Sequence, residues 1–316
     1  MEKKNFAYYW ERIGTLMIFV FMILVTSVFA PPQFLSPGNL VQILTQSATT
    51  MLIACGEFFA ILIAGIDLSV GSVLALSGVV TAKMMVAGMP FGLAVLLGGV
   101  GVGALLGAIN GALINFTKLH PFIITLGTQS IFRGVTMIIS DAKPIFGFPQ
   151  SFKTAFGGMI GGKIPMPVVW ALLVAAILWF VTTKSKMGRN FYALGGNKEA
   201  AWFSGINVRL HTLLVHIIPG ICAGICGVVM IARLGSAEPM AGSGHETFAI
   251  AAAIIGGTSF FGGKGKIPNV IVGALIIGLI NNALNMLSVE TYFQQVATGA
   301  LIIGAVTLDM FISRKK

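Results

Sequence analysis

The sequence predicts an all-α membrane protein with about ten transmembrane helices, arranged as two inverted repeats of five. Composition is the first reason, because apolar residues make up 56% of the 316 residues and charged residues only 9%, with a mean hydropathy of +0.92. A soluble domain carries roughly a quarter of its residues as charges, so this chain lacks the polar surface that water requires. Long apolar stretches and a recurring motif, described next, are the other two reasons.

The apolar residues are grouped in stretches of the length that a spanning helix needs, roughly 20 residues. We place the spans at 13–31, 41–64, 70–88, 91–115, 121–139, 167–183, 210–233, 246–262, 267–288 and 293–311. The segment Gly65–Gly71 interrupts the boundary between the second and third spans. The remaining connections are too short for a soluble domain, so we predict one transmembrane domain over residues 1–316.

The basic residues indicate the orientation. The formal net charge is +10, and the Lys and Arg residues lie in short clusters beside apolar spans, as the positive-inside rule describes. With the N-terminus inside, most of them fall on the inner side, which predicts that both termini are cytoplasmic. Neither the basic face nor the interleaved aromatic residues of a nucleic-acid site are present, so nucleic acid is excluded as a partner.

A short motif recurs in the fourth and ninth spans. The heptapeptide GAINGAL at 107–113 matches GLINNAL at 278–284 in five of seven positions. Two halves of five helices each must have opposite orientations, as in the inverted repeats of many transporters. Chance similarity between glycine- and leucine-rich helices is the alternative explanation.

Polar residues inside the spans are candidates for a translocation pathway or gate, since they are costly in a bilayer. These residues are Asp67, Ser69, Asn110, Asn281 and Asn282. Asp67 can act as a gate or simply cap a helix break, and the asparagines can contact a hydroxylated solute or tie helices together. Glu57, a further acid in the second span, is a candidate proton carrier, although no second acid or histidine accompanies it there.

No catalytic or metal-binding pattern is present. Cys55, Cys222 and Cys226 all lie inside apolar spans, where packing is the simpler explanation. The segment Gly257–Gly265 departs from the Walker pattern, because Thr258 stands six residues before Lys264 and glycine follows the lysine. We therefore expect no enzymatic activity, no metal and no cofactor bound directly.

The most polar connection is the inner loop 184–210. Its centre contains a Glu-Ala-Ala-x-x-x-Gly element, with a glycine placed to end a short helix. Such an element on the cytoplasmic side indicates a part that another protein holds; an amphipathic helix resting on the bilayer is the alternative. Its residues are Lys198, Glu199, Ala200, Ala201, Trp202, Phe203 and Gly205.

Two outer loops are polar enough to receive a soluble partner, or merely connect helices. One contains Glu238 and Glu246, and the other, 140–166, is longer and carries several lysines.

Several of these motifs resemble one family. The element at Glu199–Gly205 resembles the coupling motif of importer-type ABC permeases. The surrounding stretches Gly188–Asn197 and Ser204–Val208 are similar to the sugar permeases of the ribose, allose and xylose systems. Three further stretches share this similarity, which extends from about residue 35 to the C-terminus: Gly65–Ser72, Ile255–Ser259 and Gly262–Gly265.

The resemblance implies a subunit of a bacterial inner-membrane importer for a ribose- or allose-like monosaccharide. It implies a second permease chain, as a homodimer within membrane lipid, and ATPase subunits that bind ATP and dock on the coupling element. It also implies an extracytoplasmic sugar-binding protein, for which Glu238 and Glu246 are the candidate docking residues. The alternative function is a proton-coupled secondary transporter that acts without an ATPase.

Overall fold

In the computed structural model, the described residues are 6–29 and 32–290, with short pieces between 292 and 307. The described chain is helical apart from turns and one small hairpin. The helices of the first half are α1 (Phe6–Phe29), α2 (Pro37–Leu62), α3 (Val70–Val86), α4 (Phe91–Ala94), α5 (Val102–Thr117) and α6 (Pro121–Ser140), with a 3₁₀ turn at Pro32–Leu35 and a π-helical segment at Val95–Gly101 that joins α4 to α5.

The second half begins with a short outer helix and hairpin. Its elements are α7 (Gln150–Gly157), β1 (Met159–Ile160), β2 (Ile164–Pro165), α8 (Met166–Lys184), α9 (Lys186–Gly196), α10 (Lys198–Phe203), α11 (Val208–Leu234), α12 (His245–Ile255) and α13 (Ile267–Met286). The strands β1 and β2 pair antiparallel, with Met159 opposite Pro165.

A helix occupies each of the first nine predicted spans. Within the described part of the chain, six helical stretches are long and apolar enough to cross a bilayer: Pro37–Leu62, Phe91–Thr117, Pro121–Ser140, Met166–Lys184, Val208–Leu234 and Ile267–Met286. The predicted span 246–262 is corrected, since α12 ends at Ile255 and turns follow it. The tenth predicted span, 293–311, lies mostly outside the described residues.

Two interruptions between helices organise the centre of the fold. The first break, residues 63–69, separates α2 from α3, and the second break, residues 235–244, separates α11 from α12. Left-handed backbone marks both, at Ala64 in the first and at Gly235, Gly242 and Gly244 in the second. Glycine adopts this conformation at no steric cost, which explains why the second break is glycine-rich.

The core is formed by α2 and α11, which are the most buried of the long apolar helices; their most hydropathic windows are 78% and 72% buried. Helix α5 lies so close to α11 that side chains do not fit between them. A Cβ atom on Gly103 would meet the carbonyl oxygen of Gly220, and a Cβ on Gly220 would meet that of Gly103. Small residues permit this backbone contact, which is a common way to join membrane helices.

Helix positions recur at the offset of the sequence motif, 171 residues, which separates Gly107 from Gly278. Helices α2 and α11 begin at Pro37 and Val208, again 171 apart. The packing follows the same relation. Gly107 on α5 lies against His216 and Ile217 of α11, and Gly278 on α13 lies against Ser47 of α2, so each helix packs on the other half of the chain.

We predict that Gly103→Ala destabilises the fold by about 1–3 kcal/mol, since the added methyl group overpacks the contact between α5 and α11. Thermal unfolding of the detergent-solubilised protein measures this effect. Gly92→Ala is the matched control, because nothing lies within 4 Å of a Cβ at that position. Equal melting temperatures for the two variants would contradict the proposed packing constraint.

Candidate translocation and coupling sites

Three of the predicted pathway residues form one buried cluster at the first break. The Asp67 carboxylate accepts hydrogen bonds at Oδ1 from the Ser69 N–H (2.9 Å) and the Ser69 hydroxyl (2.6 Å). The Asn110 amide on α5 donates to Ser69 Oγ at 2.7 Å and to Asp67 Oδ2 at 3.4 Å. All three side chains are buried. The cluster therefore provides the backbone of the break with a cap just before α3 begins.

Helix α6 also supplies hydrogen-bond partners to the first break. The Thr128 hydroxyl donates to Asn110 Oδ1 at 2.7 Å. The Thr125 hydroxyl donates to the carbonyl of Ile66 at 3.0 Å and accepts from the Leu68 N–H at 3.2 Å. Thr125 and Thr128 are three residues apart and share one helix face. This face of α6 supplies partners for backbone groups that no helix satisfies.

Glu57 completes the attachment of the first break to α2. Its Oε1 atom accepts the Asp67 N–H at 2.9 Å. The side chain is fully buried, and within the described part of the chain Oε2 has no hydrogen-bond partner. Glu57 therefore fixes the path of the chain ten residues later, a positioning role that the sequence did not reveal.

The predicted asparagines of α13 lie apart from this cluster. Asn282 is buried and exchanges two hydrogen bonds with Asn39 at the start of α2, at 3.0 and 2.9 Å. This reciprocal pair ties α13 to α2, which is the helix-tying alternative for an intramembrane amide. Asn281 is partly buried.

The predicted coupling element forms a helix of its own, α10. The Asn197 side chain caps its start by accepting the Ala200 N–H at 2.9 Å. Gly205 follows its end with a positive φ of 80°, as expected for a glycine that ends a helix. Its N–H donates to the Trp202 carbonyl at 2.9 Å, and that of Ile206 to the Ala201 carbonyl at 3.1 Å.

The side chains of α10 divide into an inner and an outer set. Ala201 is 3% exposed, whereas Trp202 and Phe203 are 63% and 80% exposed, with their rings in an edge-to-face contact at 4.8 Å. Lys198, Glu199 and Ala200 are exposed as well. The helix thus presents a carboxylate and two adjacent aromatic rings outward.

Helix α9 connects α10 to the first break. Phe191 is fully buried against Phe59 of α2, with the rings edge to face at 5.6 Å. Gly195 lies against the carbonyl oxygen of Leu62, the last residue of α2, and has no room for a side chain. The Gly263 N–H donates to the same carbonyl at 2.8 Å. Helix α9, which leads into α10, therefore contacts the chain where the first break begins.

The glycine-rich turn after α12 packs beside α9. The Tyr192 hydroxyl donates to the Gly265 carbonyl at 2.8 Å, and burial raises the pKa of this tyrosine, which keeps the donor protonated. Gly262, Gly263 and Gly265 all have positive φ. The turn thus packs against α9 and supports it. This structural role agrees with the absence of a Walker pattern in the sequence of the turn.

The two outer acids are partly buried and engaged within the chain. Glu238 accepts the Ser236 hydroxyl at 2.9 Å. Glu246 Oε1 accepts from the Gln129 side chain at 3.2 Å and from the Gly244 N–H at 3.3 Å. Their role as docking residues stays a prediction.

Sequence reasoning missed the residues of α6 that hold the first break. A signal was present, since Thr125, Thr128, Gln129 and Arg133 recur at helical spacing in a span whose other residues are mainly apolar. Among the described residues, no group of three or more His, Cys, Asp or Glu side chains is arranged to hold a metal ion. The described geometry is that of a helical protein with several helices long and apolar enough to cross a membrane, and with polar clusters buried between them.

Comparison with known proteins agrees with this class. Residues 39–306 match the family described as branched-chain amino acid transport system / permease component. The chain is 58% identical to the D-allose transport system permease protein AlsC of Escherichia coli (strain K12), over 99% of this chain and 96% of the relative. It is 40% identical to the ribose import permease protein RbsC of Haemophilus influenzae, over 100% and 98% of the two chains.

The galactose/methyl galactoside import permease protein MglC of Escherichia coli (strain K12) is 36% identical, over 100% of this chain and 99% of the relative. No solved structure matches the chain. The chain belongs to the ribose- and allose-type permease family of ABC transporters. It is accordingly a transport subunit of a multi-pass membrane system rather than an enzyme.

We predict that Glu57→Gln preserves the fold, because a glutamine Oε1 still accepts the Asp67 N–H, whereas Glu57→Ala leaves that buried donor without a partner. The alanine variant is expected to lose about 1–3 kcal/mol of stability. Thermal unfolding of both variants checks this difference. Equal loss in the two would show that the hydrogen bond accepted by Oε1 is not what stabilises the break.

Proposed function

We propose that this chain is the membrane-spanning permease of an ATP-driven monosaccharide importer, in which α10 is the coupling helix that receives the motion of an ATPase subunit. The observation that carries the proposal is the contact between Gly195 and Leu62, since it joins the exposed coupling segment directly to the first break. Family membership supports the same function.

The outer surface of α10 suits a groove on another protein. Exposed aromatic residues beside a single carboxylate are typical of a small interface, where rings fill pockets and a charge selects a basic partner. A membrane-resting helix needs a continuous apolar face and basic residues on its polar side. The six residues of α10 provide one lysine and one glutamate, which favours the protein partner.

Motion of α10 has a short route to the first break. Helix α9 has no room to move towards α2 at Gly195, because its backbone lies directly against that of Leu62. Displacement of the coupling segment therefore bears on Leu62 and on the residues of the break. The hydrogen bonds of Asp67 and Asn110 then transmit it to α5 and α6. Asp67, Ser69 and Asn110 thus form part of the gate in this proposal, and Asn281 and Asn282 belong to the repeat-related helix.

We further propose that two copies of the chain pair in the bilayer, with ATP bound by the separate ATPase subunits. Helix α6 is the least buried of the long apolar helices, at 22% of its most hydropathic window. Gly127 and Gly134 lie on its exposed side with open space where a Cβ would be. A second chain can approach closely at such small residues, which supports a homodimer across this face.

An extracytoplasmic sugar-binding protein is proposed to dock on the opposite side of the membrane, with both termini of the chain in the cytoplasm. Glu238 and Glu246 already accept hydrogen bonds within the chain. Residues 140–166 offer the more accessible surface, where Lys143 and Lys163 are exposed. Docking therefore relies mainly on residues 140–166. Glu238 and Glu246 contribute only where their side chains turn away from their partners in this chain and towards the binding protein.

The proposed cargo is D-allose, with ribose as the next candidate. The identity to the D-allose permease, 58%, exceeds that to the ribose permease, 40%, over nearly the full chain in both cases. The rival function, a proton-coupled secondary transporter, draws support from the unpaired Oε2 of the buried Glu57. Transport that survives Glu57→Gln excludes Glu57 as the proton carrier.

We predict that Glu199→Arg and the double variant Trp202→Ala, Phe203→Ala uncouple the transporter. Both remove exposed groups, so the chain should fold and melt as the unmodified protein does. The measurement is sugar-stimulated ATP hydrolysis in proteoliposomes that contain the complete system, together with co-purification of the ATPase subunit. Both readouts are expected to fall.

Glu290→Arg is the matched control, because it reverses another exposed carboxylate far from α10 in the sequence. This variant should hydrolyse ATP and transport sugar normally. Uptake that survives the α10 variants and continues without any ATPase partner would refute the importer function.

The cargo is tested by uptake of radiolabelled D-allose in cells that carry the complete system. Deleting this chain should abolish uptake, and restoring it should recover uptake. Unlabelled D-allose should compete fully and ribose only weakly, since the partner binding protein selects the sugar. Full competition by ribose alone would assign the system to ribose.

A further inference from the structure

Arg133 lies in the middle of α6 and donates hydrogen bonds to three backbone carbonyls on two separate segments. Its Nη1 donates to the carbonyls of Pro239 and Ala241 at 2.7 and 2.8 Å. Its Nη2 donates to the carbonyl of Gly71 at 3.3 Å. Pro239 and Ala241 belong to the second break, whereas Gly71 is in the first turn of α3, just after the first break. One guanidinium therefore joins the second break to the start of α3, two residues beyond the first break.

The second break meets the first turn of α3 at this point, with backbone lying against backbone. A Cβ on Gly71 would meet the carbonyl oxygen of Gly242, and a Cβ on Gly242 would lie 2.6 Å from the carbonyl oxygen of Gly71. The two glycines are 171 residues apart, the same offset as Gly107 and Gly278. The contact thus lies between corresponding positions of the two halves, and Arg133 is placed beside it.

A single face of α6 faces both breaks. Thr125 donates a hydrogen bond to the first break, and Gln129 donates one to Glu246 at the start of α12. Arg133 donates both to the second break and to Gly71, beside the first break. These three residues follow one another at intervals of four, so they form one stripe. The opposite face, with Ile131 and Ile138, is exposed. Movement of α6 would therefore release both breaks at once.

We propose that Arg133 is the positioning residue that holds the second break against the first turn of α3, at the edge of the first break, and keeps the centre of the chain closed. This role extends the proposed importer function and rests on it only for the statement that closing this contact closes the transport centre. The contact itself is made within this chain alone. When Gly71 separates from Gly242, the centre of the chain opens. The hydrogen bonds of the Arg133 guanidinium set how often this separation occurs.

The chemistry of arginine suits this position. A guanidinium presents several N–H donors in a fixed plane and stays charged, whereas a lysine ammonium is a compact point charge on a flexible stem. Carbonyl groups partner intramembrane cations, and here three carbonyls converge on one side chain. Lysine at this position retains the charge but does not reproduce the fork.

The test measures access to the second break by a water-soluble maleimide. Ala241→Cys supplies the reporter, since Ala241 is partly buried and keeps its carbonyl after the change. The native cysteines are buried, and the chain without the reporter gives their background. Detergent-solubilised protein is used, so that the result does not depend on orientation in the membrane.

Arg133→Gln is expected to raise the initial labelling rate about tenfold, the effect of losing one charge-assisted hydrogen bond on the closed state. Arg133→Lys should give an intermediate rate. Arg233→Gln is the matched control, because Arg233 contacts a single carbonyl, that of Thr45, at 3.4 Å. Its labelling rate should equal that of the unmodified chain.

Unchanged labelling in Arg133→Gln overturns the proposal, and so does an equal rise in Arg233→Gln, which would indicate general loosening. Should the glutamine variant fail to fold, the rate of the lysine variant decides in the same way. ATP hydrolysis without the binding protein is measured in parallel. A rise in labelling without a rise in hydrolysis would support the role of Arg133 in holding this contact and would count against the importer function.

Discussion

Backbone groups that leave a helix inside the apolar part of this fold need hydrogen-bond partners, and this requirement shapes the centre of the molecule. Lipid offers none, so an unpaired N–H or C=O there is very costly. At the first break the partners are side chains: Glu57 accepts one N–H, Asp67 accepts another, and Thr125 serves a donor and an acceptor. At the second break Arg133 serves two carbonyls. The polar residues at the two breaks are thus explained as hydrogen-bond partners for backbone groups of broken helices.

Close packing of small residues is the second consequence. Helices α5 and α11 touch through Gly103 and Gly220, and the first turn of α3 touches the second break through Gly71 and Gly242. Such contacts permit little gradual deformation, because a packed interior transmits displacement instead of absorbing it. The contact between Gly195 and Leu62 is of the same kind, and it joins α9 to the end of α2. A chain built this way can convert a small external motion into separation of two segments.

The functional surface and the transport centre follow different physical rules. On α10 the informative side chains, Trp202 and Phe203, are exposed although they are large and apolar, and such exposure is typical of surfaces that bind another protein. In the centre the informative side chains are buried although they are polar. Both departures from ordinary burial are visible without any ligand. They explain why a transport subunit without catalytic groups still carries recognisable sites.

The sequence by itself determined the membrane class, a helix in each of the first nine predicted spans and the short helix α10 with its terminal glycine, because apolar length and glycine at a helix end are local properties. It also indicated Asp67 and Asn110 as candidates, since polar residues within apolar spans stand out. Only the tertiary structure decided which of them meet: Asp67, Ser69 and Asn110 form one cluster, whereas Asn282 pairs with Asn39. The shortness of α12 and the tasks of Glu57 and Arg133 were likewise decided there. These depend on hydrogen bonds between residues distant in the chain, such as Arg133 and Pro239, and no local pattern encodes such distances.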